Sequence, residues 1–343
     1  MIEVKGSRVA RVGLSAVAEA AGVSEATVSR VVNNPSVVAA ETRRTVEDAM
    51  RRVGYTRATH GSLVLLVTPG LRDPFFAHLA DRIAAALGLQ GLRAVICSAP
   101  VGGTQELDFV GAMVDAGAVG VVFVSASNTL EQAEPAVHRL LTTRGIPFVC
   151  INGNFAGVSA PGLSTDDRMA SELAVDHLWR LGHRRIGIAA GPIGNRPSDL
   201  RVEGFTAALR ARGDDGLLHV VRHEYSVEGG ISATNTLLGD SDLTAIVAAS
   251  DEIALGAVKA ARRRGLRVPE DISIVGYDDV YPLDFADPPL TSVRQPIERL
   301  AEAVVPVMTR LVKHRAVHRG ELFFEPELII RSSTAAPPGV DRD

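Results

Sequence analysis

The stretch LSAVAEAAGVSEATVSRVVNN, Leu14 to Asn34, holds two groups of apolar residues on either side of Gly22. Within each group the apolar residues stand three or four positions apart, which is the spacing of one face of an α-helix. A glycine between two such groups favours a tight turn. The stretch therefore predicts two short helices joined by a turn of about three residues. Their apolar positions are Leu14, Val17, Ala18, Ala21, Val28, Val31 and Val32.

A third helical repeat, Val46 to Val53, follows after the helix-breaking residues Asn33 to Ser36. Ser24 stands just before the second helix and is of a type that caps helix N-termini. The apolar side chains can form a small core that fixes the angle between the first two helices. This arrangement predicts a helix-turn-helix unit.

The outward face of the second predicted helix carries side chains suited to double-stranded DNA. Arg30 fits the O6 and N7 acceptors of guanine, Glu25 fits the N4 donor of cytosine, and the Ala26 methyl fits the methyl of thymine. Short polar residues suit phosphate oxygens. Periodicity alone leaves an ordinary solvated helical hairpin equally open. The predicted DNA-binding residues are Ser24, Glu25, Ala26, Thr27, Ser29, Arg30 and Asn33.

From Leu63 onward, short apolar runs without alternation are separated by helical segments. Such runs are typical of parallel strands that are buried on both faces. At least seven βα repeats exceed one ordinary sheet, so we predict an α/β core of two Rossmann-like parallel-sheet subdomains after a small all-α head. The runs are Leu63–Val67, Ala94–Cys97, Val119–Val124, Pro147–Ile151, Ile186–Ala190, Ala245–Ala249 and Ile272–Val275.

Composition agrees with a folded protein of several domains. The chain has 343 residues, of which 46% are hydrophobic and 22% charged, and one core rarely serves more than roughly 250 residues. Residues 1–60 hold nine Lys or Arg against six Asp or Glu, whereas the remainder holds 27 against 34. A basic head on an acidic body is a weak sign of a nucleic-acid-binding end.

Other classes of protein find little support in the sequence. Cys97 and Cys150 are far apart, so we expect buried thiols and neither a disulfide framework nor a metal site. No apolar run is long enough to cross a membrane, and the N-terminus lacks the apolar segment of a signal peptide. We therefore expect a cytoplasmic protein without a membrane partner, a metal or another cofactor.

Leu14 to Tyr55 resembles the DNA-binding head of the lactose-repressor family of bacterial transcription regulators, above all in VAEAAGVS, TVSRVVNN and GY. The resemblance extends over nearly the whole chain, because further motifs resemble the effector-binding core of that family. They are DPFFAHL (Asp73–Leu79), LGHRRIGIAAGP (Leu181–Pro192), AIVAASDEIALGA (Ala245–Ala257), GLRVPEDISIVGYDD (Gly265–Asp279), PPLTSVRQP (Pro288–Pro296) and ELIIRSST (Glu327–Thr334).

The resemblance implies a core like that of periplasmic sugar-binding proteins, in which the chain crosses three times between two subdomains. We place the crossings near Ala160, Pro289 and Gly320. The predicted domains are a DNA-binding head at 8–56, a linker at 57–62, one subdomain at 63–160 and 290–319, a second at 161–289 and 320–334, and a frayed tail at 335–343.

The resemblance also implies a set of effector-binding residues in the cleft between the subdomains. Arg201 corresponds to an arginine that binds effector oxygens, Asp278 to a carboxylate that accepts hydrogen bonds, and Tyr225 to a stacking aromatic. Asp251 has a second interpretation, in which it only caps the helix that follows it. The complete set is Phe75, Phe76, Ser125, Asn152, Arg201, Tyr225, Ser250, Asp251, Asp278 and Gln295.

The linker departs from the family pattern. Only Thr56 to Ser62 separate the head from the first predicted strand, which is too short for the usual hinge helix with its minor-groove leucine. Two helix caps are also missing, since Gly13 and Ala39 stand where Thr and Ser are common. We therefore expect a head of marginal stability and no wedging of the DNA minor groove.

These features predict a homodimeric DNA-binding transcription regulator, a repressor, which binds a palindromic operator. The expected effector is a sugar or a related polyhydroxylated metabolite, with a nucleobase as the alternative. A cytoplasmic sugar- or nucleoside-handling enzyme or binding protein on the same core is the rival function. The sequence lacks G-x-G-x-x-G, G-x-S-x-G and H-E-x-x-H motifs, and we interpret His177 and His183 as surface residues at a helix end.

Overall fold

The computed structural model of this chain has an N-terminal unit, Met1–His60, whose described residues form three helices. The structure describes residues 13–33, 37–53, 55, 63–99, 104–213, 219–239, 242–281 and 283–339. Gly22 ends the first helix with a φ of +65°, a left-handed conformation that glycine adopts without strain. The helices are α1 Leu14–Ala21, α2 Glu25–Asn33 and α3 Ala40–Val53. The predicted all-α head is thereby confirmed.

A small apolar core holds these helices together. Its fully buried members are Val17, Val28, Val46 and Ala49. The Ser24 hydroxyl accepts a 3.2 Å hydrogen bond from the backbone N–H of Thr27, so Ser24 caps α2 as its sequence position suggests. Gly13 gives α1 no side-chain cap, and Ala39 has no group to cap α3. Relative to serine or threonine, alanine at an N-cap costs about 1 kcal/mol and glycine only roughly a few tenths of that.

The predicted linker, residues 57–62, lies outside the described residues, as do 8–12, 34–36, 54 and 56 of the predicted head. The absence of a hinge helix therefore stays a prediction. The second unit of the chain begins at Gly61.

In the described part of the second unit, twelve strands form two six-stranded sheets, each the centre of one lobe. The first lobe has the strand order β11-β5-β4-β3-β1-β2, and all of its strand pairs are parallel. Its strands are β1 Leu63–Thr68, β2 Arg93–Ser98, β3 Gly120–Val124, β4 Phe148–Ile151, β5 Gly162–Thr165 and β11 Glu321–Phe324.

The sheet of the second lobe has the order β12-β10-β9-β8-β6-β7. Its pairs are parallel except that of β10 with β12. Its strands are β6 Ile186–Ala190, β7 Val220–Arg222, β8 Ala245–Ala248, β9 Ser273–Asp278, β10 Thr291–Arg294 and β12 Glu327–Ile329. The predicted pair of parallel-sheet subdomains is confirmed.

Helices cover the sheets and bury the apolar strands. The first lobe carries α4 Pro74–Leu89, α5 Thr104–Asp115, α6 Ala136–Arg144 and α11 Ile297–Val312. The second lobe carries α7 Asp167–Arg180, α8 Arg196–Arg210, α9 Val227–Leu237 and α10 Asp251–Arg263. In parallel sheets of this kind, helix N-termini follow the carboxyl ends of strands, which is where ligands usually bind.

The three crossings between the lobes fall later than the predicted boundaries at 160, 289 and 320. The chain leaves the first lobe after Thr165, leaves the second after Arg294, and leaves the first again after Phe324. The family resemblance implied boundaries near Ala160, Pro289 and Gly320. In each case a short strand follows those residues and still pairs with the lobe that the chain is leaving.

The C-terminal segment is anchored to the second lobe where we predicted a frayed tail. The backbone N–H of Ala335 donates to the Ser273 hydroxyl at 3.0 Å, and His183 Nε2 lies 2.8 Å from the Ala335 carbonyl oxygen. His183 is 1% exposed, so its interpretation as a surface residue is wrong. The described chain continues to Gly339.

Two further expectations concern buried thiols and membrane segments. Cys97 and Cys150 are both free and buried, as predicted. None of the helices in the described part of the chain combines the length and the apolar character needed to span a bilayer.

Candidate functional site

Three polar residues at strand ends meet at the carboxyl edge of the two sheets. Ser125 follows β3, Asn152 follows β4, and Asp278 ends β9. All three have positive φ values, of 54°, 63° and 110°. Residues other than glycine seldom adopt this backbone conformation, which costs about 1–3 kcal/mol and is common at functional sites.

Four helix N-termini lie at the same edge. Each is capped by a side chain that accepts a hydrogen bond of 2.9–3.2 Å from a backbone N–H of its own first turn. The capping residues are Asp73 of α4, Asn195 of α8, Ser226 of α9 and Ser250 of α10. Strand ends and helix starts together surround the space between the lobes.

That space is a cavity of about 530 Å³, within the 300–1,000 Å³ that small-molecule sites occupy. Nine of the ten predicted effector residues line it: Phe75, Phe76, Ser125, Asn152, Arg201, Tyr225, Ser250, Asp278 and Gln295. The other lining residues, which the sequence analysis missed, are Pro69, Gly70, Arg72, Asp73, Asn195, Pro197, Ser226, Val227, Glu228 and Glu252.

Arg201 is held by the second lobe and points a guanidinium edge into the cavity. Its Nε donates to Asp167 Oδ1 at 2.8 Å and its Nη1 donates to the Ala249 carbonyl at 2.6 Å. The guanidinium also lies 3.5 Å above the Tyr277 ring. Although burial acts against it, the Asp167 carboxylate keeps the pKa of Arg201 well above its usual range. Nη2 is the donor that the described residues leave for a ligand.

Gln295 connects strand ends of both lobes. Its Nε2 donates to Asp278 Oδ1 at 2.6 Å, and its Oε1 accepts a 2.6 Å hydrogen bond from the Thr165 hydroxyl. The backbone N–H of Thr165 donates to Asn152 Oδ1 at 3.3 Å, and Asn152 Nδ2 donates to the Ser125 hydroxyl at 3.0 Å. This chain fixes each side chain while leaving Asp278 Oδ2 open to a ligand.

Aromatic rings form the flat walls of the cavity. Phe75 and Phe76 of the first lobe pack edge to face with centroids 5.2 Å apart. On the second lobe, Tyr225 lies against Gly191, where an added Cβ would come within 2.3 Å of the ring. The absence of a side chain at Gly191 therefore lets the Tyr225 ring occupy its place.

Asp251 is the predicted effector residue that does not line the cavity. Its Oδ1 accepts from the Ser292 hydroxyl at 2.6 Å, and its Oδ2 accepts from the backbone N–H of Val280 at 2.9 Å. Asp251 therefore neither lines the cavity nor caps α10, because Ser250 is the residue that caps this helix. Asp251 instead connects α10 to β10 through Ser292 and to the loop after β9 through Val280.

Four acidic side chains line the cavity, those of Asp73, Glu228, Glu252 and Asp278. Burial and then the Asp73 carboxylate raise the pKa of Asp278 well above its usual range, against the opposing effect of Arg201. Burial also raises the pKa of Asp73. At Glu252, burial followed by the carboxylates of Asp73 and Glu228 raises the pKa. Each of these shifts favours the protonated form of the carboxyl group, because burial, and at Asp278 and Glu252 also the neighbouring carboxylates, disfavours a further negative charge.

The head presents the predicted DNA-binding residues along α2. Ser24, Glu25, Ala26 and Arg30 are exposed, and Thr27 and Ser29 are partly exposed. Thr27 Oγ1 lies 2.9 Å from the Ser24 hydroxyl oxygen. Asn33 is the last residue of α2, and its side chain lies outside the described part. Since Val28 and Val31 are buried, the polar face of α2 points away from the core of the head.

Among the described residues, no three His, Cys, Asp or Glu side chains converge as metal ligands would. The polar cavity offers hydrogen-bond donors and acceptors from two lobes that the chain connects three times. A core of this kind that follows a helix-turn-helix unit along the chain defines a transcription regulator that responds to a small molecule.

Comparison with known families agrees with this class. Residues 14–58 match the family described as "Bacterial regulatory proteins, lacI family". Residues 175–334 match the "Periplasmic binding protein-like domain".

Several characterised and uncharacterised regulators are similar over nearly their whole length. An uncharacterised HTH-type regulator in the aml 5′ region of Streptomyces limosus is 43% identical, with 94% of each chain covered. The HTH-type transcriptional regulator MalR of Streptomyces coelicolor is 41% identical over 95% of this chain and 97% of its own. The HTH-type transcriptional repressor CytR of Escherichia coli is 31% identical over 94% and 96%.

Solved structures show the same architecture. The transcriptional regulator CelR in complex with cellobiose is 30% identical, with a TM-score of 0.73 over 94% of this chain and all of that one. The lac repressor dimer bound to operator and the anti-inducer ONPF is 28% identical, with a TM-score of 0.77 over 95% and 100%. The chain belongs to the lacI family of bacterial regulatory proteins and is a DNA-binding transcription regulator.

Proposed function

We propose that this regulator is a homodimeric repressor that binds a palindromic operator through α2, and that a saccharide in the cavity changes its affinity for DNA. The observation that carries the proposal is the polar cavity lined by both lobes, because a ligand that contacts both lobes favours one lobe arrangement over another. The cellobiose complex of CelR supports a saccharide as the ligand.

The DNA contacts are argued from α2. Arg30 is exposed on the face opposite the buried Val28 and Val31, where a guanidinium can reach the guanine O6 and N7 acceptors. Glu25 and Ala26 are exposed in the first turn, the part of a recognition helix that meets base edges. The lac repressor dimer bound to operator supports a dimer on two half-sites.

Effector contacts are argued from the free hydrogen-bonding groups of the cavity. Arg201 Nη2 offers a donor and Asp278 Oδ2 an acceptor, while Tyr225 and Phe76 offer apolar faces. We assign binding to the cavity, and no reaction. The Ser125 hydroxyl accepts its hydrogen bond from the Asn152 amide, which cannot act as the general base that a serine nucleophile needs.

Selection of duplex DNA from a random pool tests the DNA-binding part. The full chain should enrich a palindrome, and Arg30→Ala should bind it about 1–3 kcal/mol more weakly and lose its preference at one base pair of each half-site. Arg44→Ala, the same change at an exposed position of α3, should leave base preference unaltered. Equal weakening of Arg30→Ala on every sequence would assign Arg30 to phosphate instead.

Thermal-shift screening against sugars and nucleobases tests the effector part. A ligand at 100 times its dissociation constant should stabilise the protein by about 2.7 kcal/mol. Stabilisation by nucleobases and by none of the sugars would overturn the saccharide assignment.

A further inference from the structure

We propose that the cavity takes an unphosphorylated saccharide and rejects the phosphorylated or carboxylated forms of the same sugar. This inference rests on the proposed function, since it names the chemical class of the effector. It follows from how the helix N-termini and the charged side chains are arranged around the cavity.

Helix N-termini at a cavity are ordinarily good anion sites, because unpaired N–H groups and the helix dipole both attract negative charge. Four helices begin at this cavity. At each of these N-termini a side chain of the protein already accepts a hydrogen bond from one of the backbone N–H groups that a phosphate would use. The side chains are those of Asp73, Asn195, Ser226 and Ser250, and all four line the cavity.

Carboxylates add negative charge at three of these helix starts. Asp73 caps α4, Glu228 lies in the first turn of α9, and Glu252 lies in the first turn of α10. Asp278 adds a fourth carboxyl group at the end of β9, and its raised pKa favours the neutral, protonated form. The helix dipoles are therefore opposed by the protein's own acids before a ligand arrives.

Two arginines line the cavity among the described residues, Arg72 and Arg201. Arg201 is committed to Asp167, with both side chains less than a tenth exposed. Arg72 lies on the exposed rim. A phosphate would meet the acidic side chains of Asp73, Glu228 and Glu252, while the Arg201 guanidinium is already ion-paired with Asp167. Asp278 is left out of this count because its raised pKa favours the neutral acid.

The mutual effects of the carboxylates point the same way. Burial is the larger cause of the raised pKa of Asp278 and of Glu252, and the Asp73 carboxylate raises both further, so a negative charge on one of these groups disfavours a negative charge on the others. A further anion in the same space would add to that repulsion. Hydroxyl groups, by contrast, donate hydrogen bonds to carboxylate oxygens and relieve it.

Matched pairs of sugars give the test, with the full chain and isothermal titration as the readout. The probes are cellobiose, maltose, glucose and ribose, each beside its terminal phosphate ester. We expect at least one neutral sugar to bind, and its phosphate to bind at least ~30-fold more weakly, which corresponds to about 2 kcal/mol. Raising the salt concentration should lower the ratio of the dissociation constant of the phosphate ester to that of the neutral sugar, because salt screens the repulsion.

A paired variant locates the cause. Glu228→Gln with Glu252→Gln should reduce the neutral-to-phosphate ratio at least about fivefold. Glu172→Gln removes the same charge at an exposed position of α7 away from the cavity, and should leave the ratio unchanged. Thermal unfolding of each variant shows that the cavity is intact.

A phosphate ester that binds as tightly as its parent sugar would overturn the inference and leave the proposed saccharide effector standing. If neither form of any of these sugars binds while the protein still binds DNA, both the inference and the saccharide effector fail. If neither salt nor the paired variant changes the ratio of the two dissociation constants, then shape and not charge excludes the phosphate, and the electrostatic argument is overturned.

Discussion

Replacing Arg201 by alanine should destabilise the second lobe as well as remove an effector contact. Asp167 is 2% exposed and accepts hydrogen bonds from Arg201 Nε at 2.8 Å and from the Tyr277 hydroxyl at 2.6 Å. Without Arg201 its charge is buried and unpaired. Breaking a buried ion pair from one side costs about 3–5 kcal/mol.

For the second unit, Gly61–Asp343, that loss corresponds to a fall of roughly 5–8 °C in Tm. Asp167→Asn should cost less, about 2 kcal/mol, because the asparagine oxygen can still accept from Tyr277 and Arg201 keeps its bond to the Ala249 carbonyl. The double variant removes both charges. It should therefore be about 2 kcal/mol more stable than Arg201→Ala alone.

Urea unfolding of the wild type, both single variants and the double variant measures this coupling. The four free energies of unfolding form a double-mutant cycle. If the double variant loses the sum of the two single losses, then Asp167 and Arg201 act independently. Their ion pair would then have no part in positioning the guanidinium.

Three other perturbations have expected outcomes. Burial raises the pKa of Asp251 from 3.8 to about 7, so between these two pH values the folded protein binds one more proton than the unfolded chain. The free energy of unfolding is therefore highest below about pH 4 and falls by up to about 1.4 kcal/mol per pH unit between pH 4 and 7. Asp251→Asn should flatten that slope in urea unfolding across pH 5–7, and an unchanged slope contradicts the assignment. Gly191→Ala should displace the Tyr225 ring and weaken effector binding at least tenfold in titration calorimetry with operator affinity unchanged; wild-type effector affinity would show that the ring does not contact the ligand. Since residues 57–62 are too short for a hinge helix, permuted-operator gels should show a nearly straight operator, and a central kink above roughly 40° would contradict this expectation.

The buried strands were predictable because parallel strands covered on both faces are continuous apolar runs. The run Ile186–Ala190 is identical to β6. Strands such as β7 Val220–Arg222 and β10 Thr291–Arg294 were missed, because they are short and carry an arginine. The lobe boundaries that the family resemblance implied came several residues early, because a short strand beside each crossing still pairs with the lobe that the chain is leaving.

The polar residues at strand ends were predictable for a related reason. Ser125, Asn152 and Asp278 follow apolar runs directly, so the sequence places them at the ligand-binding edge. The helix caps Asp73, Asn195 and Ser226 were missed, although a capping residue type before a helical segment was a usable signal. Sequence cannot say which residue of a first helical turn faces a cavity, and for that reason Asp251 was placed there in error.

The central claim is that occupation of the cavity and binding of operator are coupled in one molecule. Coupling of this kind is reciprocal. The direct measurement is the dissociation constant of the operator with and without saturating saccharide, together with that of the saccharide with and without operator. We expect both to change by the same factor, of at least about tenfold. Two independent affinities, each unaffected by the other ligand, would contradict the account.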